Sequence, residues 1–180
     1  MFLTKGSTRL SCARGLPGLP NLEIDMTSVH AAENRIHETK IVTPQKSPEL
    51  TSLFNKTISE LYESIVMVDY EVSQASTNVD RVEAVILLDK AADILKKKGI
   101  SSSADMREAV VQTDPEYQDA VNRLQALKAM SALLKGKLET FKRAYFDAKD
   151  VIKLAGMGNS GLGNVAIHGS TFDDDFSKMD

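Results

Sequence analysis

The sequence predicts an all-α protein: a long antiparallel, coiled-coil-like helical hairpin with a short helix between its arms and disordered N- and C-terminal tails. Three observations carry that expectation. Two segments place apolar residues in unbroken 3,4 steps, the mark of an a/d helical seam. Both segments are bounded by helix start and stop residues. Aromatic residues make up only 6% of the 180 residues and Trp is absent, which favours aliphatic helix packing over a β-sandwich or a deep aromatic pocket. The expected divisions are 1–46, a disordered arm and linker; 47–156, the helical hairpin; and 157–180, a flexible linker with an acidic tail.

Gly6, Gly15, Pro17, Gly18 and Pro20 break any regular element in residues 1–25. This stretch carries Lys5, Arg9 and Arg14 with no acid before Glu23. It reads as a basic targeting peptide or as an unstructured extension ahead of a start at Met26, and it lacks the long apolar core of a secretory signal. The single cysteine, Cys12, excludes an internal disulfide. In such an arm it points to a reducing, intracellular compartment, the cytoplasm of a host cell if the source is a phage. Residues 26–47 are polar and read as a linker with a short helix over Val29–Ile36.

The first long helix is expected to open with Ser47 as its cap, Pro48 in its first position and Glu49 in its first turn. Its seam runs Phe54, Ile58, Leu61, Ile65, Val68, Val72, Ala75, Val79, Val82 and Ile86. Ser73–Asn78 is weak in helix propensity, so a soft or bent middle is expected there. Lys96, Lys97 and Lys98 suit the negative end of the helix dipole, and Gly99 is a stop. Ser101–Ser103 can cap a short helix over Ala104–Val111.

Thr113 and Glu116 have capping-box spacing, with Pro115 in the first turn of the last helix. Its seam runs Tyr117, Ala120, Leu124, Leu127, Ser131, Leu134, Leu138, Phe141, Tyr145, Ala148, Ile152 and Ala155, interrupted only by Ser131, before Gly156. At ~1.5 Å per residue the two long helices would be of the order of 75 Å and 60 Å. Tyr62, Val66, Leu87, Leu88, Met130 and Leu133 widen the apolar face beyond the seams, which implies a homo-oligomer.

No catalytic motif, metal site or cofactor site emerges, so the expectation is a non-enzymatic protein. His30, His37 and His168 lie in the expected arms and form no ligand set, and Cys12 has no partner. Gly156-Met-Gly158-Asn-Ser-Gly161 matches a dinucleotide fingerprint in letters but follows a helix, not a strand. No apolar run is long enough to span a bilayer.

Charge is the functional signal. From Arg123 to Lys153 the last helix carries eight bases (Arg123, Lys128, Lys135, Lys137, Lys142, Arg143, Lys149 and Lys153) against Glu139, Asp147 and Asp150, a net charge of +5. Lys128, Lys135, Lys142 and Lys149 recur every seven residues beside the seam. This stripe, roughly 45 Å long by helical rise, can track a phosphate backbone. The plainer alternative is that it pairs with Asp69, Glu71 and Glu83 or with a neighbouring subunit, since the stretch Glu49–Lys98 has nine acids and six bases. Arg143, Lys153 and Lys96–Lys98 lie off that flank and favour phosphate contact. Phe146 reads as a base-stacking surface or as a packing residue. In the tail, Asp173, Asp174 and Asp175 between Phe172 and Phe176 form a docking peptide with aromatic anchors and acidic steering, or a solubilising end.

Asp173-Asp-Asp175 with its flanking phenylalanines resembles the acidic C-terminal tip of single-stranded-DNA-binding proteins, departing from it in the Ser177–Asp180 extension. Asp114-Pro-Glu-Tyr117 opening a basic helix that ends Lys149-Asp-Val-Ile-Lys153 resembles phage recombination mediators of the UvsY type. Those are small, helical, oligomeric proteins that load a recombinase onto single-stranded DNA. The expected function is an accessory factor in DNA metabolism that binds single-stranded DNA, self-associates and docks a protein through its tail. The alternative is a coiled-coil scaffold or adaptor, in a virion or its assembly.

Overall fold

The computed structural model describes residues 9–12, 21–39 and 41–156. Among the described residues the chain is all-α apart from one two-stranded sheet. It contains β1 (Arg9–Cys12), β2 (Leu22–Asp25), α1 (Thr27–Glu38), α2 (Ser47–Val85), a π-helical turn (Ile86–Lys90), α3 (Ala91–Lys97), α4 (Ala104–Thr113) and α5 (Pro115–Gly156). Residues group into two compact units, Met1–Ile24 with Val66–Ala132 and Asp25–Ile65 with Leu133–Asp180. Both α2 and α5 contribute residues to each unit.

In the first unit, the part of the sequence expected to be an irregular arm forms the sheet. Strand alternation explains it: Leu10 and Cys12 on β1, and Leu22 and Ile24 on β2, are buried while Arg9 and Glu23 face out, 3.7 Å apart. Cys12, expected in a disordered arm, is 5% exposed. Burial raises its thiol pKa, only partly offset by the Arg123 guanidinium. Gly6, Gly15, Pro17, Gly18 and Pro20 lie outside the described residues.

The α2 seam holds through this unit, with Val68, Ala75, Val79, Val82 and Ile86 buried. Ser73–Asn78 stays α-helical; the irregularity falls instead at Ile86–Lys90. In an unbroken α-helix the positions after Ile86 on the buried side would be Asp89 or Lys90, then Asp93. The π turn inserts one residue, its closing bond running from Ala91 N–H to the Ile86 carbonyl. Ala91 and Leu95 then take the buried positions, and Lys90 meets Glu116 at 2.9 Å. Val82, Ile86 and Val111 form a small core with Leu87, Val110 and Tyr117 against it.

The end signals of α3 act as expected. Gly99 has φ 69°, Ile100 N–H bonds the Leu95 carbonyl, and Gly99 N–H bonds the Lys96 carbonyl. Ser103 caps α4 by accepting from the Met106 N–H at 3.3 Å. The capping box does not form. Asp114 accepts from the Glu116 N–H at 2.8 Å, while the Thr113 hydroxyl turns back to the carbonyls of Ala109 and Val110. Asp114 outcompetes Thr113 because Thr113 still belongs to α4. Ser131, the polar interruption of the α5 seam, is buried and donates to Asp69 at 2.6 Å.

In the second unit, the expected linker contains a three-turn helix. Asp25 accepts from the Thr27 N–H at 2.9 Å and its hydroxyl at 2.6 Å, opening α1. Val29, Ala32 and Ile36 make its buried stripe. Ser28 donates to Glu60, Arg35 to Glu49 and Lys137 to Glu33, so α1 packs on both α2 and α5. Ser47 meets Ala148 and Phe54 meets Phe141, ring centroids 6.1 Å apart, so α2 and α5 run in opposite directions within this unit. A helix shared between two neighbours buries a wider face than a two-helix seam. Ala144, Ala148 and Val151 are buried, Tyr145 is half-buried, and Ile152 is 40% exposed. Of the residues expected to widen the exposed apolar face, Met130 in the first unit is fully buried, whereas Tyr62, Val66 and Leu88 are exposed.

Candidate nucleic-acid interface

The buried side of α5 in the second unit is defined by Phe141, Ala144, Ala148 and Val151. At 100° per residue, Phe146 points to the opposite side. It is 57% exposed. Lys135, Lys142, Arg143, Lys149 and Lys153 all fall within about 60° of Phe146 by the same rotation. The second unit thus gathers five of the nine basic residues expected to contact nucleic acid onto one solvent-facing side of α5, along with Glu139 and Asp150.

Their partners differ. Lys142 meets Glu139 at 2.7 Å, and its Nζ lies 5.3 Å from the Tyr62 ring centroid. The hydrogen bond to Glu139, then that to Tyr62, raises the Lys142 pKa. Lys153 meets Asp150 at 3.1 Å. Lys149 stands over Tyr145, 5.7 Å from its centroid, and the Tyr145 and Phe146 rings meet edge-on at 5.5 Å and 73°. Arg143 is exposed and has no ion-pair partner among the described residues. Lys137 lies on the opposite side of α5 by the same rotation and meets Glu33, beside the 2.9 Å contact of His30 Nδ1 with Glu33.

The alternative pairing of the lysine line with Asp69, Glu71 or Glu83 does not describe Lys142. Asp69 is engaged by Ser131, and Lys142 takes its carboxylate from its own helix. In the first unit, Lys128 is exposed on α5, and Lys96, Lys97 and Lys98 are exposed at the end of α3. Tyr62 is the site residue that sequence reasoning missed. Its partner Lys142 is eighty residues distant, and no spacing rule links them. Phe172, Asp173, Asp174, Asp175 and Phe176 lie outside the described residues.

An open depression of about 360 Å³ in the first unit is lined by Gln112, Tyr117, Gln118, Val121 and Asn122, amides and a phenol that offer hydrogen bonds but no nucleophile–base pair. Among the described residues, no group of three or more His, Cys, Asp or Glu is arranged to hold a metal ion, and no helix is long and apolar enough to cross a membrane. No protein-family profile, curated protein or solved structure matches the chain.

Proposed function

We propose that the protein is a non-enzymatic, intracellular accessory factor of DNA metabolism that binds single-stranded DNA through the outer side of α5, self-associates, and docks a partner protein through Phe172–Phe176. The observation that carries this reading is the exposed Arg143, without an ion-pair partner among the described residues, beside Lys149 and an exposed aromatic ring. Arg143 and Lys149, which have no carboxylate partner among the described residues, are available to phosphates, and such binding weakens steeply with salt. Fluorescence anisotropy with a labelled single strand tests it. Wild type should bind at low salt with affinity falling linearly in log salt, and the triple reversal of Arg143, Lys149 and Lys153 to Glu should lose most of that affinity. No binding by wild type at low salt would remove this reading.

The scaffold alternative has its own observation. Val66, Met67 and Tyr70 in the first unit are 67%, 50% and 63% exposed, an apolar outer face on α2 suited to helix docking. Sedimentation of wild type against Val66→Glu/Tyr70→Glu tests it: assembly through this face requires the double variant to be smaller.

A further inference from the structure

We propose that Phe146 is the base-stacking residue of the site, and that it restricts the nucleic acid held there to single strands. This rests on the nucleic-acid reading above and adds the feature that distinguishes single strand from duplex. Phe146 exposes 57% of its surface at the centre of the outer side of α5 in the second unit. The ring is oriented by the edge-on contact with Tyr145. Lys149 occupies the neighbouring Tyr145 ring, not that of Phe146. Arg143 and Lys149 stand three residues to either side, within about 5 Å along the helix axis, and Lys142 and Lys153 extend the row. Glu139 and Asp150 hold Lys142 and Lys153, leaving Arg143 and Lys149 as the phosphate contacts nearest the ring.

The occupant follows from charge and shape. A strand with unstacked bases offers a π face to Phe146 and phosphates to the flanking cations, the pairing used by sequence-tolerant single-strand binders. In a duplex the base faces are already stacked, and a ring on a convex helix ridge meets only sugars and phosphates. A second copy or a partner helix would instead require apolar residues around Phe146, and its neighbours on that side are charged.

The test measures binding of a labelled oligo-thymidine strand and of a duplex of equal length to the full chain, in wild type, Phe146→Leu and Phe146→Trp. Circular dichroism and sedimentation are recorded for each variant. Phe146→Leu should weaken single-strand binding roughly 5- to 100-fold, the range for loss of one stacked base, with duplex binding unchanged. Phe146→Trp should restore it. Equal loss on strand and duplex, no loss on either, or a change of oligomeric state in Phe146→Leu would overturn the stacking role. Absence of wild-type binding would overturn the nucleic-acid reading itself, which separates the two failures.

Discussion

The hydroxyl of Ser47, at the first residue of α2, donates to the main-chain carbonyl of Ala148, 101 residues further along the chain. The sequence casts Ser47 as a local N-cap; the fold uses it, fully buried, as a tertiary donor that fixes the start of α2 against α5 in the second unit. These roles predict opposite outcomes. A cap position accepts Asp in place of Ser with little loss. A buried donor facing a carbonyl does not, because a carboxylate would meet the oxygen with no proton to share. Ser47→Ala should cost about 1–2 kcal/mol in denaturant unfolding, and Ser47→Asp should cost more. An Asp variant as stable as wild type would restore the capping role.

How much was legible follows from the same contrast. Regular spacing was: the α2 seam, the α5 seam as far as Phe141, the Gly99 stop and the Ser103 cap are read from residues within one or two turns. Competition between neighbouring donors was not. Thr113 and Asp114 are both good caps, and only the point where α4 ends decides between them. Longer-range choices were hidden as well. The burial of Cys12, the Ser131–Asp69 bond and the Tyr62–Lys142 contact join residues that no periodicity relates. Of the candidate site, the row of bases was visible in the sequence, whereas which of them are neutralised by Glu139, Asp150 and Glu33 was not.

The π turn gives a second prediction. Deleting Leu88, 80% exposed within it, should close the turn to regular α-helix and leave Ala91 and Leu95 four and eight residues after Ile86 in the shortened numbering, still on the buried side. Circular dichroism should be unchanged and the midpoint should shift by only a few degrees. Deleting Ser73 instead rotates everything beyond it by about 100° and should abolish cooperative unfolding. Equal damage from both deletions would mean that the π turn does not correct the register.

Adjacent residues near the end of α5 test the shift of its buried face away from the two-helix seam. Val151 is 2% exposed and Ile152 40%. Val151→Asp should cost about 3–5 kcal/mol, since the carboxylate has no partner in an apolar site. Ile152→Asp should stay within about 1 kcal/mol. The reverse order in chemical denaturation would reinstate the two-helix seam through Ile152.

Cys12 supplies a pH prediction. Burial raises its pKa in the folded chain, so the folded state holds the thiol proton more tightly than the unfolded state does. The associated stability is complete below the unfolded thiol value of 9.0 and is lost as pH rises from there through the higher folded value. Wild type should therefore lose stability above about pH 9 relative to Cys12→Ala. At pH 8 the folded thiol should react with a thiol reagent at least about tenfold more slowly than in denaturant, because reaction needs the thiolate. Equal rates in the two states would place Cys12 on the surface.

The acidic C-terminal segment bears on the proposed site through charge. Residues 171–180 carry Asp173, Asp174, Asp175 and Asp180 against Lys178, a net charge of −3, on the same chain as the basic side of α5. A covalently attached polyanion competes with nucleic acid at high effective concentration. Deleting 171–180 should leave the circular dichroism spectrum unchanged and strengthen single-strand binding at low salt by roughly twofold or more, with the gain fading as salt screens the competition. Asp173–Asp175→Asn should reproduce the deletion if charge alone acts. Phe172→Ala with Phe176→Ala should reproduce it only if the aromatics anchor the segment. If neither variant nor the deletion alters affinity, the segment does not compete for the basic side, and its role would rest on partner capture alone, read by whether the same deletion abolishes it.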